Sequence, residues 1–249
     1  MRAIDINCDM GENCGDDSAV MKFISSANIA CGGHAGDCES IKRTVLLANQ
    51  HNVRTGAHPG YLDKENFGRI ETGLDEVQVC DEVLTQIFRF EKVANSQGCK
   101  LSHIKLHGAL YNRAAGDYSL MYLLTHKINV EFGNVPFYTL ANSISEKAIA
   151  DAGGVFLKEG FADRAYDDEG KLVPRNNVGA VLHDSKYIAG RVLELLKTRK
   201  IKTIKGNTIN LDIDTICVHG DTPGSVHIAR MVNNILKDNQ FKIGSYNAL

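Results

Sequence analysis

Several things are missing from this 249-residue chain, and each absence narrows its class. No run of about 18 apolar residues occurs, so no segment is long enough to cross a bilayer as a helix. The start, Met1-Arg2-Ala3-Ile4-Asp5, turns polar at once and lacks the apolar core of a secretory leader. There is no excess of charge: 28 Lys and Arg stand against 30 Asp and Glu, for a net charge of −2. That balance argues against a nucleic-acid or anionic-membrane partner. No Cys-x-x-Cys pair occurs among the seven cysteines, which argues against a zinc ribbon or a thioredoxin-like motif. Free thiols in a reducing, cytoplasmic setting are the expectation. Cys8, Cys31 and Cys217 sit in strand-like apolar runs and read as small buried hydrophobes.

What is present is a regular alternation of short β-like runs and helical patterns. Strands are expected at 4–8, 27–31, 53–57, 101–106, 137–140, 155–159 and 215–218. Helices follow at 40–50, with Asp37 as its cap, and after Thr72 and Asp75, which have capping-box spacing. Further helices are expected over 118–132, on to about Ala152, after Asp184, and from Thr222-Pro223 with proline at the first helical position. Residues 203–211, around Lys205-Gly206-Asn207, read as a small hairpin. Seven β-then-α units with no Pro/Gly/Ser linker predict one domain over 1–249, with a parallel sheet inside and helices outside. Seven evenly spaced strands favour a closed β/α barrel over an open sheet.

Four histidines fall just past the ends of four of these strands: His34, His58, His107 and His219, each with glycine close by. In a β/α barrel such positions converge on one face, where active sites are built. Period-2 alternation sharpens the picture. Asp5, Asn7 and Asp9 share one face of the first strand, and His103, Lys105 and His107 share one face of the fourth. The opposite faces are apolar and belong against the helices, so these polar stripes point into the barrel, joined by Asn28 and Glu159. A buried Lys105 needs a carboxylate, from Asp9, Asp5 or Glu159. The long loop after the sixth strand carries Asp163, Arg164 and Arg175 toward the barrel mouth, where a guanidinium suits a carboxylate or phosphate. The loop after the third strand, Tyr61 to Thr72, carries Phe67-Gly68-Arg69 and is placed to act as a lid.

At six motifs a resemblance becomes specific: Asn7-Cys8-Asp9-Met10-Gly11-Glu12, Ala27-Asn28-Ile29-Ala30-Cys31-Gly32-Gly33-His34-Ala35-Gly36, Gly56-Ala57-His58-Pro59, Lys105-Leu106-His107-Gly108-Ala109-Leu110-Tyr111, Phe161-Ala162-Asp163-Arg164 with Leu172-Val173-Pro174-Arg175, and Val218-His219-Gly220-Asp221-Thr222-Pro223-Gly224. In this order they resemble the LamB/YcsF family, the 5-oxoprolinase A subunits, from near residue 4 to about 237. Gly33 and Gly60 depart from residues common there, Phe and Ser.

The resemblance implies a distorted seven-stranded, TIM-like barrel similar to the polysaccharide deacetylase superfamily. It implies a hydrolase that acts with two partner subunits, of B and C type, to turn 5-oxo-L-proline, ATP and water into L-glutamate, ADP and phosphate. Association of copies of the chain itself is left open. The chain has no G-x-x-x-x-G-K-[ST] and no G-x-G-x-x-G after a strand, so ATP is expected on the partners. For ring opening, Asp9 or His107 is the candidate base, Lys105 with Arg164 or Arg175 the candidate anion ligand, and His219 with Asp221 a second acid/base pair. Asn28, His34, His58 and Asp163 complete the candidate substrate-binding set with the two arginines. Two alternatives stand beside this one. Asp9, His58 and His107 would bind a divalent metal, with His34 as substitute ligand, in a deacetylase-like amide hydrolase. Or the chain delivers substrate without catalysing.

Overall fold

The computed structural model describes residues 3–244. Its elements alternate as β1 (Ala3–Met10), α1 (Asp17–Val20) running into a 3-10 turn (Met21–Phe23), β2 (Ser26–Ala30), α2 (Cys38–Gln50), β3 (Arg54–His58), α3 (Glu76–Ser96), β4 (Ile104–Lys105) and α4 (Gly108–Gly116). There follow α5 (Tyr118–Phe132), β5 (Phe137–Leu140), α6 (Ile144–Asp151), β6 (Phe156–Phe161), α7 (Ser185–Thr198), β7 (Lys200–Lys202), β8 (Thr208–Asn210), β9 (Thr215–Val218), α8 (Ser225–Asp238) and β10 (Lys242–Ile243). All sheet neighbours around the ring are parallel: β1-β2-β3-β4-β5-β6-β9, with β9 pairing back onto β1 through Asp5–Thr215 to Cys8–Val218. The sheet therefore closes as a seven-stranded, TIM-like barrel surrounded by helices. β10 adds a short parallel edge to the start of β1, and β7 and β8 form a separate antiparallel hairpin. No helix among the described residues is long and apolar enough to cross a membrane.

Strand alternation sorts the side chains. Ile4, Ile6, Cys8 and Met10 of β1 are buried in the apolar core. That layer is completed by helix stripes such as Ile41, Val45 and Ala48 of α2 and Ile228, Val232 and Leu236 of α8. The inward faces are polar. Asp5 accepts from Ser25, Ser26 and Thr215 at 2.6–2.7 Å. His103 stacks on Tyr138 at 4.1 Å and donates from Nε2 to Asn28 at 2.7 Å. Gly56 in β3 makes room for that ring: a Cβ there would lie 2.3 Å from His103 Nε2.

Boundaries differ from expectation where hydrogen bonds are spent elsewhere. α3 starts at Glu76, because Asp75 boxes with Gln78 rather than with Thr72. α8 starts at Ser225, because the Thr222 hydroxyl is committed to Asp163 and Gly224, at φ +81°, makes the turn into the helix. The hairpin reaches back to Lys200. α1 and α4 lie in stretches that carry no strong apolar period.

Candidate active site

The barrel floor is a chain of buried charges. Lys105 Nζ lies 2.9 Å from Asp9 Oδ1, 3.0 Å from Glu159 Oε1, 3.1 Å from Cys217 Sγ and 3.3 Å from Asn7 Oδ1. Asn28 donates to both Asn7 and Asp9 at 2.8 Å. Tyr111 donates to Glu159 Oε2 at 2.8 Å. Burial opposes charge on Asp9, yet His58, Lys105 and His219 outweigh it and hold the carboxyl well below its ordinary value. The Lys105 ammonium, despite burial, is held well above its ordinary value, chiefly by Asp9. Glu159, paired with the same ammonium, is instead pushed up by burial.

Above it stand two clusters. In the first, His58 donates from Nδ1 to the Lys105 carbonyl at 2.8 Å, and His107 from Nε2 to the Phe67 carbonyl at 2.9 Å. Their other nitrogens face each other at 3.0 Å. Glu12 Oε1 lies 3.0 Å from His34 Nε2, 3.4 Å from His107 Nδ1 and 3.8 Å from His58 Nε2. His34 stacks on His107 at 3.5 Å. Burial depresses all three histidines, His58 to about 4. Burial, then Asp9 and Asp221, push the Glu12 carboxyl well up. This buried His/Glu set has the make-up to hold a metal ion. Asp9 is divided from it: its Oδ1 serves Lys105 and Asn28, and its Oδ2 lies 3.6 Å from His58. The set Asp9, His58 and His107 is thus not the cluster that forms; Glu12 and His34 gather with the two histidines.

In the second cluster, His219 Nδ1 donates to Asp163 Oδ1 at 2.8 Å, and Thr222 donates to Asp163 Oδ2 at 2.7 Å. Burial works against charge on Asp163, but His219 and these bonds bring it below its ordinary value. The expected pairing of His219 with Asp221 does not form. Asp221 faces Arg69 and Arg175 at the mouth instead, the latter at 3.6 Å. Arg191 of α7 underpins Asp163 by donating to the carbonyls of Phe161, Ala162 and Arg164 at 2.8–3.2 Å. Arg164 is less free than its loop suggests, since it donates to Val173 and Ala180 carbonyls, and burial pushes it down to about 10.

These groups line a cavity of about 1290 Å³ at the carboxyl ends of the strands, where Asp9, His58, Lys105, His107 and His219 meet Arg164 and Arg175. The Phe67-Gly68-Arg69 segment is pinned there rather than poised above: Gly68, at φ +62°, donates to Asp63 and accepts from Ala109, and a Cβ on it would lie 2.7 Å from His34 Cβ. Two residues of these clusters, Glu12 and Arg191, are not among those expected from sequence. Glu12 carries a signal, since it follows the end of β1 as the histidines follow theirs. Arg191, inside a helix, carries none.

A closed parallel β/α barrel with its charged groups at the carboxyl ends of the strands defines a TIM-like barrel. The catalytic domain of a peptidoglycan N-acetylglucosamine deacetylase from Eubacterium rectale matches with a TM-score of 0.53 over 99% of this chain and 89% of that one, at 8% identity, a likeness of fold alone. The chain belongs to the LamB/YcsF family, whose model matches residues 4–249. The 5-oxoprolinase A-subunit of Nitrobacter hamburgensis is 42% identical over 249 residues, 98% of each chain. A lactam utilization protein from Thermus thermophilus has a TM-score of 0.92 at 32% identity, covering 98% of this chain and 100% of that one.

Proposed function

We propose that this chain is the ring-opening component of an ATP-dependent 5-oxoprolinase, working in the cytoplasm with two partner subunits that bind ATP. The observation that carries the reading is the pairing of an oriented His219–Asp163 dyad with Asp9, itself paired to Lys105, on the floor of one cavity. The names of the relatives, a lactam utilization protein and a 5-oxoprolinase A-subunit, supply the substrate class.

A lactam carbonyl resists water, and phosphoryl transfer to its oxygen on the partners is the activating step. This chain then handles the proton. With Nδ1–H held by Asp163, His219 keeps a lone pair on Nε2 to take a proton from water as its oxygen bonds to the lactam carbon. The same proton passes to the ring nitrogen as the C–N bond breaks and the tetrahedral centre collapses to an open-chain acyl phosphate, which a second water hydrolyses to glutamate and inorganic phosphate. Asp9 stabilises the imidazolium between these events. Lys105 has its donors committed and serves to hold Asp9 ionised, while Arg175 at the mouth is the cation for the substrate carboxylate or phosphate.

The test is ATP-dependent release of glutamate from 5-oxo-L-proline with this chain added to, or omitted from, the partner subunits. Release only when the chain is present is expected. Equal release without it overturns the reading. Release that needs the chain but survives combined substitution of Asp9, His107 and His219 favours a delivery role.

A further inference from the structure

We propose that Glu12, His34, His58 and His107 form a binding site for one Zn²⁺-class transition-metal ion per chain. A carbonyl only accepts, so the Lys105 and Phe67 carbonyls fix the protons of His58 on Nδ1 and of His107 on Nε2. The remaining nitrogens of the two neutral rings carry lone pairs, and they face each other at 3.0 Å. Two lone pairs at that distance repel unless a cation lies between them. Glu12 brings a carboxylate oxygen to the same point, and His34 a third imidazole nitrogen, so that the four ligand atoms lie within 4.8 Å of one another.

The spacing fits a known coordination polyhedron. With Zn–N and Zn–O bonds of about 2.0–2.1 Å, tetrahedral ligand atoms sit roughly 3.3 Å apart. The contacts of Glu12 with the three rings, and of His58 with His107, run from 3.0 to 3.8 Å. Three imidazoles and one carboxylate form a borderline donor set. It suits Zn²⁺ or Co²⁺ and disfavours Mg²⁺ and Ca²⁺, which prefer six or more oxygens. The carbonyls on His58 and His107 are the outer partners that orient metal-bound histidines. All four ligands are buried, and none of them belongs to the His219–Asp163 dyad.

The test reads metal, not turnover. Full-length protein is stripped with chelator and titrated with Zn²⁺, and separately with Co²⁺, against a chromophoric competitor. Elemental analysis and the visible spectrum of the Co²⁺ form are recorded. One ion per chain is expected, with Mg²⁺ unable to displace it. Glu12→Gln and His34→Gln each weaken binding by about tenfold or more, while His126→Gln, on the exposed face of α5, leaves it unchanged. Two results overturn the site: substoichiometric binding by wild-type protein, or equal binding by the three variants. Nitrogen-15 spectra of the wild-type imidazoles give a check that needs no variant. A protonated His58–His107 pair persisting in the presence of Zn²⁺ overturns the site as well. None of these outcomes bears on glutamate release, so the site and the ring-opening reading fail separately.

Discussion

Lys105 has three protons to donate and four acceptors around it, from β1, β6 and β9. Its removal leaves buried carboxylates without a cation. Lys105→Met is expected to cost about 3–5 kcal/mol of folding stability by chemical denaturation; an unchanged midpoint would show that the floor does not depend on the pair. His103 makes the opposite case. Burial, then Lys105, depresses it to about 3, so the folded ring stays neutral while the unfolded ring, near its ordinary value of 6.5, takes a proton as pH falls. Stability is therefore full above about pH 6.5 and declines toward pH 3, by roughly 1.4 kcal/mol per unit from this group alone. Imidazole nitrogen-15 shifts at pH 5 check it: a neutral His103 is expected and an imidazolium is not. The inward direction of His103 and Lys105 is legible in the sequence because alternation along a strand is local. The partner of His219 is not, because Asp163 lies 56 residues away and only the closed barrel brings it nearer than Asp221.

Among the elements, the histidine-bearing strand ends are legible because each β-like run is short, apolar on one face and followed by glycine. β4 reads as six residues and has two in regular pairing, although Ser102 and Ile104 still donate to neighbouring segments. α4 escapes a sequence reading because it begins and ends on glycine and its buried face is only Leu110, Tyr111 and Ala114. α7 carries a duty its sequence does not advertise: Arg191 ties the end of β6 and the start of the Asp163 loop with three hydrogen bonds. Arg191→Leu leaves three carbonyls without that donor and is expected to lower stability by about 2–4 kcal/mol. Glutamate formation should fall with it in the reconstituted complex, measured well below the unfolding temperature. A stable variant with full activity would show that the loop holds Asp163 unaided.

At the scale of the whole molecule, β9 pairing with β1 joins the last barrel strand to the first. No part of the barrel is complete before nearly the whole chain is in place. We propose on this ground that the chain unfolds as one unit. Far-ultraviolet circular dichroism and tyrosine fluorescence are expected to report one coincident denaturant transition, and two separated transitions would divide it. The seven-strand count is legible from seven β-then-α repeats. The cavity is legible only as a face, since its two clusters are assembled by loops from distant strands. One measurement bears most directly on the central claim: the rate of ATP-dependent glutamate formation by the complex reconstituted with His219→Gln, at saturating 5-oxo-L-proline. If the His219–Asp163 dyad moves the proton, the rate falls by about 10²–10⁴-fold. A wild-type rate would contradict it.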